Sequence, residues 1–411
     1  MAGEWRERPL AELTDNFDAI RVPVKEVDRR AGPYPYYGAS GVVDHVDEYL
    51  FDGEYLLIAE DGENLRTRNT PVAFLARGRF WVNNHAHIVR GNSEADTRFL
   101  MYALSAADIS GYLTGSTMPK LTQGNLNRIP LLTPPLPEQR AIAHILGTLD
   151  DKVELNRRMN ETLEAMARAL FKSWFVDFEP VRAKSKGQES GFPREVDEHF
   201  PDAFEESELG EIPKGWSVAS IREIATVVYG APFSSSLFNT EQVGDPLIRI
   251  RDLSNESPGV WTQEIHPKGY KVKPGDIVVG MDGEFRAYLW GGDEAWLNQR
   301  VCIFAPRPDY SAAFVRNSIF EPLAHVEATE TATTVIHLGK SDIERFLVVV
   351  PDTKVLGAFN QYCQPWYDRI VSSKRESRTL SALRDALLPR LISGELRVQD
   401  AGRFMEHVGP C

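Results

Sequence analysis

Arg249 and Arg251 alternate in LIRIRDL, and alternation along a strand aims both side chains at one face. Two parallel guanidinium groups suit base edges and phosphates, which accept their fork of N–H donors. Ser234 and Ser235 in YGAPFSSS, Arg286, the Gln299–Arg300 pair and Lys340 add donors of the same kind. The first half of the chain offers a comparable set. PYPYYGASG places Tyr34, Tyr36, Tyr37 and Ser40 beside glycines; Arg66, Arg68 and Asn69 follow the turn in EDGE; His85 lies in WVNNHAHI; Lys120 ends GSTMPK. These residue types read sequence on base edges and fix position on phosphates. Each has a bland alternative: aromatic loop packing for the tyrosines, a solvated surface for the others.

Catalytic chemistry is harder to find. No GxxxxGK[ST] is present, so no phosphate-cradling loop of that type is expected. TPPL, at 133–136, resembles the [ND]PP[YF] of amino-methyltransferases but lacks both the amide or acid and the aromatic that would hold a flipped base; it reads as a loop leading into a helix. His85 and His87, two apart, are expected on one face of a strand, but a metal site needs more ligands than these. AEDGE and GMDGE offer carboxylates beside glycine, and turn geometry is the simpler reading. The expectation is therefore no catalytic residue, no metal and no cofactor held by this chain.

Composition narrows the class. At 411 residues the chain exceeds one ordinary core, so two or three domains are expected. Cys302, Cys363 and Cys411 are far apart and form no CxxC, which fits a reducing cytoplasm better than a disulfide or zinc framework. MAGEWRERPL is too polar for a secretory signal, and no apolar run could span a membrane. The net charge of −13 opposes binding to nucleic acid. Much of it is concentrated: 187–211 holds nine acids and one base, Arg194, leaving −5 for everything else. That acidic stretch reads as a solvated, partly ordered connector, the alternative being a segment that docks onto a basic partner surface.

Positioning comes from an internal duplication. LTQGNLNRIPLLTPP (121–135) lies over LGKSDIERFLVVVPD (338–352) at an offset of 217 residues, pairing Leu126 with Ile343, Arg128 with Arg345 and Pro134 with Pro351. The same offset continues without a gap, pairing Ile142 with Phe359, Leu146 with Cys363, Val153 with Ile370 and Leu170 with Leu387. Upstream, GEYLLIAEDGE matches GDIVVGMDGE, and WVNNHAHI matches WLNQRVCI, at slightly different offsets that imply loop insertions. Short runs such as EYLLIAE, PVAFLA, DIVVGM and RVCIFA read as strands, and 99–113 and 312–328 as helices.

After each copy an apolar seam at 3–4 spacing predicts a long helix, one to about Phe175 and one from about Val355 to Leu391. A helix of roughly 40 residues is roughly 60 Å long. Two equal helices with matching seams are expected to pair as an antiparallel coiled coil. Both seams are interrupted by small polar residues, Asn156 and Asn160 in one and Ser373 and Ser377 in the other. If these meet, they form a polar layer that fixes register at some cost in stability; otherwise they face solvent or a partner.

With these features in order, the sequence resembles the DNA specificity subunit of type I restriction–modification systems over nearly its whole length. The resemblance rests on LTQGNLNRIPLLTPPLPEQRAIAHIL, on LDDKVELNRRMNETLEAMARALFKSWFVDFEPVRAK, on SELGEIPKGW and on LLPRLISGEL. It implies an α+β fold: two similar mixed α/β target recognition domains joined by two long antiparallel coiled-coil helices, a pseudo-twofold duplication. The expected division is 1–135 and 213–352 for the recognition domains, 136–177 and 353–394 for the helices, 178–212 for the acidic linker and 395–411 for a C-terminal tail, whose last residues, EHVGPC, do not read as structure. It further implies that each domain reads one half of a bipartite site in double-stranded DNA. The helices would set the spacing and dock two methyltransferase subunits, which bind S-adenosylmethionine and modify adenine N6. Restriction/translocase subunits would join the full complex. The alternatives are a chain that itself methylates or cuts DNA, and a coiled-coil scaffold that binds only proteins.

Overall fold

The computed structural model describes residues 4–329 and 336–398. The last residues, EHVGPC, lie outside them. Two compact units emerge: Met1–Lys152 with Leu380–Cys411, and Val153–Thr379.

In the first unit, six strands form one sheet: β1 (Thr14–Asn16), β2 (Ala31–Gly38), β3 (Gly41–Val46), β4 (Phe51–Ala59), β5 (Ala73–Val82) and β6 (Ala86–Gly91), in the order β1-β6-β4-β5-β2-β3. EYLLIAE is apolar at both parities, and such a strand must be covered on both faces. It is: Leu56 and Ile58 of β4 face one core with Phe99 and Leu100, while Tyr55 and Leu57 face another with Phe51, Phe80 and Ile88. β4 pairs antiparallel with β5 (Leu56 opposite Leu75) and with β6 (Ile58 opposite His87). Phe99 and Leu100 lie on α1 (Thr97–Ala106), whose Asp96 cap accepts the Phe99 N–H at 2.9 Å. This helix is shorter than the expected 99–113. Asp108 accepts the Ser110 N–H at 2.9 Å, and that local turn displaces the helix.

The long helix α2 (Leu136–Phe175) follows Pro134 and Pro135, with Pro137 in its first turn, where a missing N–H costs nothing. Its early residues Ile142 and Leu146 share the first unit's core with Leu391 and Ile392.

In the second unit, β7 (Ala225–Tyr229), β8 (Ile277–Gly280), β9 (Ala287–Leu289) and β10 (Val301–Pro306) form an antiparallel sheet in the order β7-β10-β8-β9. Period-2 alternation again divides its side chains. Ile277, Val279, Cys302 and Phe304 face Phe314 and Ile319, while Val278 and Ile303 face Ile248 and Trp290. Phe314 and Ile319 belong to α3 (Ala312–Thr329). The second long helix is α4 (Thr353–Ile392).

Within each unit the two long helices run antiparallel. In the second, Asn156 meets Ser373 and Ser377, and Phe171 meets Phe359 edge to face, 6.1 Å between ring centres. In the first, Arg384 donates to Asp150.

The acidic segment is not a solvated connector. It forms a helix, Glu179–Ser185, and a hairpin of Phe204–Ser207 with Gly210–Pro213. Phe178, Val181, Phe200 and Ile212 are buried in the second unit's core, with Phe200 4.9 Å from the Trp174 ring. Its charge count hid these spaced apolar anchors, which hold the acids at the surface.

Candidate nucleic-acid interface

PYPYYGASG is a strand and hairpin turn rather than a glycine loop, and this changes what its tyrosines can do. Tyr36 is 1% exposed; its hydroxyl accepts the Val24 N–H at 3.0 Å, and the Arg29 guanidinium lies 4.5 Å from its ring centre. Tyr36 is therefore a core residue and leaves the set of DNA candidates. Tyr37 packs on Phe74 and Phe80, and burial pushes its phenol up. Tyr34 packs against Tyr49 with tilted rings, 5.0 Å between centres, and Ser40 is exposed in the turn.

Arg68 is also withdrawn. It occupies the left-handed region (φ 49°), and its guanidinium donates to Ser105 O at 3.0 Å and Ala107 O at 2.7 Å. It closes the C-terminal end of α1, whose last carbonyls have no helical partner. Arg66 is exposed and donates to Gly115 O at 3.0 Å, tying down the loop that leads to Lys120; Asn69 is exposed beside it. His85 and His87 do not share a face, because β6 begins only at Ala86. His85 is exposed in a turn, with Nδ1 2.9 Å from Asp61 Oδ2. His87 is buried, 2.5 Å from Asp18 and 2.8 Å from Leu121 O, where it ties β6 to neighbouring loops. Lys120 pairs with Glu60 at 3.2 Å. Burial alone would raise the Glu60 carboxyl, but Arg21, His87 and Lys120 hold it below its usual value.

In the second unit the expected strand of alternating arginines ends early, at Ile248. Arg249 precedes a short 3-10 turn, Ile250–Asp252, and forms a bidentate pair with buried Asp252 at 2.9 and 3.1 Å. Asp252 draws the chain into the turn, so the two arginines do not alternate on one face. Arg251 remains exposed. Ser234 and Ser235 are exposed, the Ser234 N–H donating to Glu264 at 2.8 Å. Arg286 pairs with Glu284 and Glu327. Gln299 is exposed, its N–H bound to Ala231 O. Arg300 has φ 69° and reaches His337 at 3.1 Å and Asp282 at 3.6 Å. Lys340 lies 4.8 Å from the Tyr229 ring centre.

On the helices, the Asn156 amide donates to Glu376 at 2.8 Å, Ser377 at 3.2 Å and Ser373 O at 3.4 Å. Asn156 and Ser373 are fully buried, and Asn156 Oδ1, Asn160 Oδ1 and Ser373 Oγ have no hydrogen-bond partner.

The sequence offered Asp61 and Asp282 only as carboxylates beside glycine, and His337 not at all; Asp61 contacts His85, and Asp282 contacts His337 and Arg300. The signal available was the DG pair in AEDGE and GMDGE, which reads equally as a plain turn. Among the described residues, no group of three or more His, Cys, Asp or Glu could hold a metal ion, and no helix is long and apolar enough to cross a membrane. Burial pushes the thiols of Cys302 and Cys363 up to about 12, far from nucleophilic thiolates. Of the candidates, Ser40, Arg66, Asn69, Ser234, Ser235, Arg251 and Gln299 remain as exposed hydrogen-bond donors.

A family profile described as the type I restriction modification DNA specificity domain matches residues 2–165. The type I restriction enzyme MjaIX specificity subunit of Methanocaldococcus jannaschii is 28% identical over 97% of this chain and 94% of its own length. The HindI specificity subunit of Haemophilus influenzae is 25% identical over 84% of each chain. The crystal structure of a type I restriction–modification S subunit from M. genitalium shares the fold at a TM-score of 0.56, with 14% identity over 95% of this chain and 96% of that one. The first part of the chain thus matches the type I restriction modification DNA specificity domain, and nearly the whole chain is similar to type I restriction enzyme specificity subunits.

Proposed function

We propose that this chain is the DNA-reading, non-catalytic subunit of a type I restriction–modification complex. Residues 1–135 and 213–352 would each read one half of a bipartite target. The paired helices would set the separation of the halves and dock two methyltransferase subunits. Those partners would bind S-adenosylmethionine, and restriction/translocase subunits would complete an assembly working on double-stranded DNA in the cytoplasm. The observation that carries this reading is the duplication: a sheet-bearing domain followed by a long helix occurs twice in one chain, one copy for each half-site. The exposed donors Arg251, Gln299, Arg66 and Asn69 are the candidates for base edges.

Mapping N6-methyladenine in DNA from cells that express the complete system tests it. A two-part motif with a fixed unread gap is expected; a single uninterrupted motif overturns the reading. Incubating the purified chain alone with S-adenosylmethionine and DNA should transfer no methyl group, and transfer without a partner overturns the non-catalytic assignment.

A further inference from the structure

The backbone around Asp61 in the first unit is repeated around Asp282 in the second. The Glu60 N–H donates to His85 O at 2.9 Å, and the Met281 N–H donates to Arg300 O at 2.8 Å. The Gly62 N–H donates to Pro119 O at 3.1 Å, and the Gly283 N–H to Ile336 O at 3.0 Å. The Leu121 N–H donates to Glu60 O at 2.8 Å, and the Leu338 N–H to Met281 O at 2.8 Å. Isolated bridges join Asp61 to Lys120 and Asp282 to His337. The three segments of this frame are offset differently between the copies: 221 residues from Asp61 to Asp282, 215 from His85 to Arg300, and 217 from Lys120 to His337. Loops between the segments have changed length, yet all three backbone bonds recur.

The side chains on the frame follow one rule in both copies. An aspartate at the glycine turn is flanked by two basic residues from separate loops. In the first copy Asp61 holds His85 at 2.9 Å, and Lys120 is held by the adjacent Glu60 at 3.2 Å. In the second, Asp282 Oδ1 lies 2.7 Å from His337 and 3.6 Å from Arg300. The basic side chains are 53% (His85), 50% (Lys120), 55% (Arg300) and 44% (His337) exposed. Contacts made by side chains this exposed contribute little to stability, so a structural role accounts poorly for their repetition. Arg300 is moreover held at φ 69°, a conformation that costs energy for a side chain with a Cβ.

The identities change between copies, His to Arg and Lys to His, while the basic character stays. A base edge differs between two half-sites, but a phosphate is the same under any sequence. We propose that these frames are equivalent phosphate-contact sites, one per recognition domain: His85 with Lys120, and Arg300 with His337, engage the DNA backbone of the half-site that their domain reads. In the free protein Asp61 holds His85, Glu60 holds Lys120, and Asp282 holds His337 and Arg300; these carboxylates occupy the place of the phosphate and lower affinity for duplex of any sequence. This rests on the function proposed above.

The test uses the chain assembled with its methyltransferase subunits, with affinity for target and unrelated duplexes measured against salt. Lys120→Ala and Arg300→Ala are expected to weaken both duplexes about equally, by roughly 5- to 10-fold, and each to reduce the salt slope by about 0.9. The methylated sequence should not change. Asp61→Asn and Asp282→Asn should do the opposite, tightening both duplexes several-fold. A variant with a lowered melting midpoint is replaced by Lys120→Arg or Arg300→Lys, which should restore the slope; a folded variant of this kind that does not restore it overturns the proposal. So does unchanged binding by both alanine variants, or an altered methylation motif, which would mean base reading. If the unaltered complex binds no DNA, the failure lies with the proposed function itself.

Discussion

Glu138 shows how one side chain can depend on partners remote in sequence. Burial alone would raise its carboxyl. Arg397, donating at 2.7 and 2.8 Å, and the Trp5 indole N–H at 3.1 Å hold it below its usual value instead. A carboxylate lowered in the folded state stabilises above its unfolded value, and that contribution is lost as pH falls through the lowered one. Glu138→Gln should therefore cost about 1–2 kcal/mol at neutral pH, a figure reduced for the partly exposed Arg397. The gap from the unaltered chain should close as acid takes the medium below the ordinary carboxylate range. Denaturant melts across pH check this; a gap that does not vary with pH would remove the ion pair as its cause. The same dependence on remote partners explains why several donors were misread. Tyr36, Arg68 and Arg249 have the right chemistry for DNA, but a backbone amide, two helix-end carbonyls and Asp252 already occupy them. Composition records a donor and not whether it is already engaged.

At the scale of elements, the long helices were legible because their period is local. Each residue of the seam specifies the next three or four positions on, and the helices end close to where the prolines and the apolar repeat place them. The polar interruption of that seam is buried, and three of its oxygens lack hydrogen-bond partners. Each such atom costs on the order of 1–3 kcal/mol, against which the three bonds of the Asn156 amide must be set. Asn156→Leu combined with Ser373→Ala removes two of the three oxygens. The melting midpoint should rise by roughly 2–4 °C in calorimetry. A fall would mean that the Asn156 bonds outweigh the unpaired atoms, so that the layer stabilises the fold outright rather than selecting a register. The acidic segment is the converse case: its charge is conspicuous, but its fold depends on four dispersed apolar residues meeting Trp174 and Trp216, which no local pattern announces.

For the whole molecule, charge is the governing quantity. A net charge of −13 repels a polyanion, and the basic residues of both frames are paired with aspartate or glutamate. The isolated chain should bind duplex weakly at physiological salt and gain strong, salt-sensitive affinity only once partner subunits add phosphate contacts. Titration of labelled duplex with and without those subunits measures this; tight binding by the chain alone would contradict it.

The order of residues by itself determined the duplication, the two long helices and the apolar central strands, because each is written in near neighbours or in repetition. Only the tertiary structure decided which cations are free and which are engaged, and that Asp61 meets His85 across 24 residues of chain while His337 meets Asp282 across 55. The reason is physical. Periodicity is set by backbone geometry within a few residues, whereas these meetings depend on sheet register and loop closure, which the chain settles only when its cores form.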